Sequence, residues 1–72
     1  MEKFLELMAE VYDVEVEQIT MTSDIREIEG FSSLVGFSII VTIEDEYGVS
    51  ISVPEFLACK TIADLYNKVA SN

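Results

Sequence analysis

From Leu34 to Ile43, seven of ten residues are apolar, and glycines bracket the stretch at Gly30 and Gly48. In a chain of 72 residues, a block this apolar must lie against much of what remains, so its form decides the fold. Read as a helix, it runs for about four turns and continues through Glu44, Asp45, Glu46 and Tyr47 to a stop at Gly48. Ser38, Thr42 and Asp45 then share one narrow face with Val35 beside it, and the other side chains point inward or sideways. Such a helix is expected to be central, with neighbours on several sides. Gly36 in its interior costs about 1 kcal/mol relative to alanine, which points to close packing or a nearby ligand. Read as strands, β-branched Ser38 to Ile43 and the alternating Val49-Ser50-Ile51-Ser52-Val53 would pair as a hairpin around Glu44 to Gly48. On this stretch alone both readings stand.

A polar notch, Gly30-Phe31-Ser32-Ser33-Leu34, opens the run. In the helical reading, Gly30 permits a tight turn and the two serines sit where the first backbone N–H groups lack partners. The positive end of the helix dipole faces them, so a phosphate attached there would be favourably placed.

Charge and the absence of certain residues narrow the function. Fourteen acids against four bases give a net charge of −10, which argues against nucleic acid or an anionic membrane as partner and favours basic protein surfaces. Self-repulsion at this density is screened by salt, so added NaCl or magnesium is expected to raise the melting temperature; a flat response would contradict this. With no histidine, no Ser–His or Cys–His pair can form, and the lone Cys59 excludes an internal disulfide and an ordinary zinc site. Between Leu57-Ala58 and Lys60, Cys59 reads as a small buried apolar residue. Glu44 and Asp45 could serve as an acid–base pair, but nothing marks a cleft around them, so they read as a solvated face. The chain is not expected to be an enzyme or to bind a metal. No apolar run reaches the roughly 20 residues of a membrane span, and Met1-Glu2-Lys3 is unlike an export signal, so a cytoplasmic protein is expected.

The remaining segments read as helices joined by one long connection. Phe4, Leu5, Met8, Val11 and Tyr12 form the apolar stripe of an amphipathic helix over Glu2 to Tyr12. Asp13 to Ser23 is a long loop pinned by Val14, Val16 and Ile19, followed by a helical turn over Asp24 to Glu29, capped by Thr22 or Ser23 and ended by Gly30. Ser52-Val53-Pro54-Glu55 combines a capping serine, an early proline and a glutamate three places on, and opens a short helix through Phe56 and Leu57. Thr61 caps a last helix with Ile62, Leu65, Tyr66 and Val69 at helical spacing, and Ser71-Asn72 is expected to fray. The expected architecture is all-α: one domain over residues 1–72 with its core at about 2–70, three longer helices and one short one.

This order of segments resembles the acyl carrier proteins from roughly Phe4 to Val69. The family's motif, Gly-x-Asp-Ser-Leu followed by an apolar helix that ends in acids and an aromatic residue, reads here as Gly30-Phe31-Ser32-Ser33-Leu34 and Ile43-Glu44-Asp45-Glu46-Tyr47-Gly48. Ile51-Ser52-Val53-Pro54-Glu55 and Lys60-Thr61-Ile62-Ala63-Asp64-Leu65 resemble its short third helix and the opening of its fourth. With four segments in register, the resemblance favours the helical reading over the hairpin and implies a small four-helix bundle.

The resemblance further implies a monomeric carrier whose Ser33 receives 4′-phosphopantetheine from coenzyme A through a phosphopantetheinyl transferase. The thiol would then hold acyl groups as thioesters for acyl-loading enzymes, ketosynthases and other acyl-processing enzymes of fatty-acid or specialised acyl and polyketide synthesis. As a substrate, Ser33 needs no base of its own, which suits a chain without histidine. The family's aspartate is replaced by Ser32, which can cap the helix and is a minor rival site. Acids usual just after the modified serine are replaced by Val35 and Ser38, so docking should rest more on apolar contact than on charge steering. The Ile28-Glu29 pair before Gly30 also departs from the family pattern and reads as a loop adjustment. Leu34, Val35, Ser38, Val41, Thr42, Glu44 and Asp45 are the expected partner face, and Phe37, Ile40, Val41 and Ile62 the expected walls of an acyl slot. A carrier of aminoacyl groups and an unmodified helical interaction module of the same fold are the alternatives.

Overall fold

The computed structural model describes residues 2–71. Four helices are present: α1 (Glu2–Tyr12), α2 (Ser33–Tyr47), α3 (Val53–Ala58) and α4 (Ile62–Ala70). Three are long and one is short, as expected. No strand occurs among the described residues, and the sole strand-like feature is an isolated bridge between Asp24 and Thr61. The alternation from Val49 to Val53 has another cause. Val49 and Ile51 are buried while Ser50, Ser52 and Val53 are exposed, so a two-residue period marks an extended connection pinned to the core without a partner strand.

Each helix end has a local explanation. Ser52 Oγ accepts the Glu55 N–H while the Glu55 carboxylate accepts the Ser52 N–H at 2.9 Å, a reciprocal capping box. Thr61 and Asp64 repeat the device at α4, where the Asp64 carboxylate also accepts the Lys60 N–H. These backbone hydrogen bonds hold both carboxyl groups below the ordinary carboxylate range, led by Ser52 for Glu55 and by Lys60 for Asp64. Gly48 ends α2 with φ of +67°, a left-handed conformation that glycine adopts without strain. The expected fraying at Ser71-Asn72 falls partly on Asn72, outside the described residues; Ser71 is the C-cap of α4.

The core gathers one row from each helix. Phe4, Met8, Ala9 and Tyr12 come from α1, Ile39 and Ile43 from α2, Phe56 from α3, and Ile62 and Leu65 from α4. Phe4 binds three helices together: its ring meets Tyr66 of α4 edge-on at 5.3 Å between centroids and lies 6.1 Å from Tyr47 of α2. Cys59 is buried beside them, as expected.

The long connection departs from expectation in detail. Val16–Gln18 form a single 3₁₀ turn, and Ile19 and Ile25 are buried in the core, with Val14 and Val16 packed against it. Asp24 to Glu29 folds back as hydrogen-bonded turns and no helix forms. Its cap is Asp24, whose Oδ1 accepts the Arg26 N–H at 2.9 Å, whereas Ser23 Oγ is taken by the Thr20 N–H and Thr22 Oγ1 faces that of Thr20. Backbone bonds from Ile25 to Lys60, from Ile62 to Ser23 and from Ala63 to Met21 fasten this loop along the start of α4.

Tyr12 closes α1 onto the loop, its hydroxyl donating to the Ile25 carbonyl at 2.7 Å. Burial pushes the Tyr12 pKa up from 10.0 to about 12, with Arg26 lowering and Asp24 raising it to lesser degrees. The neutral phenol is therefore the folded form's preference: its contribution is complete below pH 10 and is lost as pH rises toward 12. Urea midpoints of the wild type should fall across that window, and Tyr12→Phe should flatten the fall. An equal fall in both proteins would show that another group is responsible.

α2 is less enclosed than its composition suggests. Only Gly36, Ile39 and Ile43 are buried on it. Its solvent row is Leu34, Phe37, Val41 and Asp45, rotated away from the Ser38, Thr42 and Asp45 face expected from polarity; Ser38 and Thr42 are half-buried. The six-residue α3 meets α2 at Gly36, and the apolar Leu34, Phe37 and Val41 of α2 stay in water. Gly36 does pack closely, since a Cβ there would lie 3.3 Å from the Phe56 ring.

Candidate functional site

Ser33 is the first residue of α2 and is exposed. Ser32 precedes it as N-cap in extended conformation, and its Oγ accepts the Val35 N–H at 3.2 Å. The two hydroxyls are thus divided in role: that of Ser32 is engaged by the backbone, and that of Ser33 has no hydrogen-bond partner among the described residues. The Gly36 N–H goes to the Ser32 carbonyl. By helix geometry the N–H groups of Ser33 and Leu34 have no acceptor within α2, and no acidic side chain lies in the first turn. A dianionic or monoanionic phosphate on Ser33 Oγ therefore meets the positive end of a fifteen-residue helix with no opposing carboxylate in that turn.

The turn that presents Ser33 is fixed by Gly30. Its φ is +90°, and a Cβ there would lie 2.9 Å from the Tyr12 carbonyl oxygen, so the backbone passes α1 where no other side chain fits. The Phe31 ring then packs 6.4 Å from that of Tyr12.

Beside Ser33 lies an open cleft of about 410 Å³ between α2 and α3. Ser33, Gly36, Phe37 and Ile40 form the α2 side; Val53, Phe56 and Leu57 form the α3 side, and Phe31 and Arg26 complete the lining. Leu34, Phe37 and Leu57 are each more than 60% exposed, so an apolar rim surrounds the hydroxyl in a chain otherwise rich in acids. This fits a covalently attached arm that carries an apolar load: a reachable oxygen, an electropositive helix end, and an apolar channel next to it.

Of the four residues expected to wall an acyl slot, the structure brings Phe37 and Ile40 to this cleft. Val41 lies on the other flank of α2, near Leu7, Val11 and Thr42, and Ile62 is sealed in the core with no exposed surface. The slot expected among the central, first and last helices is closed by core packing; the space lies toward α3. Of the expected partner face, Leu34, Val41, Glu44 and Asp45 are exposed, Val35 packs partly on the core, and Ser38 and Thr42 are half-buried, Thr42 beside Leu7 and Val11 of α1. Phe31, Val53, Phe56, Leu57 and Arg26 were not singled out as site residues. For Val53 and Leu57 a signal existed, since a short helix with apolar residues on two sides has one side left over. Cys59 stands outside this site; its thiol donates to the Glu55 carbonyl, and burial pushes its pKa up.

Comparison with known proteins shows the family of the chain. Residues 2–69 match the family model for the phosphopantetheine attachment site. Acyl carrier protein 2 of polyketide-8 synthase from Streptomyces avermitilis is 31% identical over 70 residues, covering 97% of this chain and 80% of that protein.

Proposed function

The chain belongs to the phosphopantetheine-bearing acyl carrier proteins, and on that premise we propose that Ser33 is the residue that carries the arm. Members are carriers rather than catalysts, and 4′-phosphopantetheine is their prosthetic group. In the proposed reaction, Ser33 Oγ attacks the phosphorus of the phosphopantetheine moiety in coenzyme A. An O–P bond forms, the bond to the departing adenosine bisphosphate breaks, and the serine proton leaves to the transferase. The terminal thiol of the bound group then supplies thioester chemistry. The observation that carries the assignment is the division of labour at the head of α2: Ser32 Oγ is held by the Val35 N–H, and Ser33 stands next in line, exposed, at the mouth of the apolar cleft.

The carrier domain spans residues 1–72 and serves acyl transfer in fatty-acid or specialised synthesis, the polyketide relative favouring the latter. Acyl-processing enzymes and the transferase dock on the exposed α2 surface. Leu34, Phe37 and Val41 supply apolar contact near Ser33, while Glu44 and Asp45 meet basic groups about 17 Å further along, eleven or twelve residues down the helix. Phe37 and Ile40 with Phe56 and Leu57 line the space for the load. Incubation with coenzyme A and a broad transferase, followed by peptide mapping, is expected to place one phosphopantetheine on Ser33. Mapping to Ser32 would move the site, and an unmodified protein would favour an interaction module that kept the fold and lost the chemistry. Supplying malonyl and aminoacyl donors to the modified protein separates acyl from aminoacyl cargo.

A further inference from the structure

Arg26 is the single arginine of the chain, and it belongs to the long connection yet ends on α3. Its Nη1 donates to the Cys59 carbonyl at 2.9 Å and its Nη2 to the Leu57 carbonyl at 3.2 Å. The guanidinium carbon lies 5.8 Å from the centre of the Phe56 ring, within cation–π range. The base of this side chain is anchored: Asp24 accepts the Arg26 N–H, and the Ile25 N–H donates to the Lys60 carbonyl at 2.8 Å.

α3, by contrast, has little to hold it. A helix of six residues is far below the length that stands alone in water. Phe56 is its only buried side chain, and Val53 and Leu57 are more than half exposed. Its ion pair to α4, Lys68 to Glu55 at 3.8 Å, is solvent-exposed and contributes little. The last carbonyls of a helix lack partners and gather negative partial charge; here one planar cation supplies two donors to them. These same α3 residues form the wall that faces α2 across the cleft, and the two helices approach tightly at Gly36 and Phe56.

We propose that Arg26 is the latch of α3: it holds the short helix against α2 and so sets the width of the cleft beside Ser33, making it a positioning residue for an apolar acyl load. A chain of several carbons is sheltered with the latch made, while a two-carbon acyl group stays outside whatever the state of α3. The consequence for the load rests on the carrier reading of Ser33; the latch itself does not.

Amide hydrogen exchange on the unmodified protein tests the latch. Arg26→Ala is expected to speed exchange at Phe56 and Cys59 by at least about tenfold, with α1 and α4 interiors unchanged, because two charge-assisted bonds are lost from one locally opening unit. Arg26→Lys, which keeps the charge but not the paired donors, should fall between. Unchanged exchange in α3, or a uniform rise in all helices, would overturn the latch. Octanoyl- and acetyl-loaded proteins are then treated with hydroxylamine. In Arg26→Ala the octanoyl thioester should cleave at least about twofold faster than in wild type while the acetyl thioester does not change, because closure excludes attacking solvent species. Equal octanoyl rates would overturn the sheltering role. A protein that cannot be loaded would refute the carrier reading, with the exchange data still deciding the latch.

Discussion

Phe4→Ala is expected to remove about 3–5 kcal/mol of stability, a large share of the total, and to leave the fold marginal. Phe4 is 1% exposed, and removing a buried phenylalanine costs about 3–5 kcal/mol through lost transfer energy and the cavity left behind. Its edge-on contact with Tyr66 and its approach to Tyr47 add roughly 0.5–1.5 kcal/mol for a well-placed aromatic pair. At about 0.05–0.15 kcal/mol per residue, a chain of 72 residues has roughly 4–11 kcal/mol in all, so one side chain holds a large share. The aromatic contacts also join α1, α2 and α4. Urea titration followed by circular dichroism should show the midpoint collapse. A loss under about 1 kcal/mol would mean that the helices are held together elsewhere.

The parts of the fold legible in the sequence were those written locally. The stripe from Phe4 to Tyr12 sets α1, and the Ser52–Glu55 and Thr61–Asp64 boxes set α3 and α4 within a few residues of their starts. Capping is a contest between side chain and backbone three places apart, so it leaves a mark that a reader can find. The face of α2 was not legible. With apolar residues in seven of ten places, the pattern carries almost no phase, and polarity pointed to Ser38 and Thr42 when neighbours had already taken that flank. Leu34, Phe37 and Val41 face outward because Gly36, Ile39 and Ile43 supply the buried side of α2, a choice made by the segments that pack on it.

The site divides in the same way. Ser33 stood out through the glycine, the two serines and the leucine after them, whereas the cleft beside it did not. Its position depends on Arg26 reaching carbonyls 31 and 33 residues away, and no periodicity records a contact of that kind. Ile62 is expected on a slot wall if the central helix packs against the first and last; it lies on α4 but is fully buried, in the same core cluster as Phe4, Ile25 and Ile39. Asp24 was overlooked as the loop's cap because Thr22 and Ser23 offer the same oxygen one or two places earlier.

The substitution with the largest effect on function is Ser33→Ala. Nothing in the packing should notice it: Ser33 is exposed, alanine is the best helix former, and the N-cap bond belongs to Ser32. Helix content and melting temperature should therefore stay within the small range of surface changes, about 0.5 kcal/mol. Modification, however, should vanish, because the only other hydroxyl in the notch is hydrogen-bonded to the first turn of α2 and lies outside the helix. Retained fold with lost attachment separates a tethering role from a structural one. The decisive observation is the intact mass of wild type and Ser33→Ala, each co-produced with a broad phosphopantetheinyl transferase. One phosphopantetheine on the wild type and none on the variant is the predicted result; the same gain on both proteins, or on neither, would contradict it.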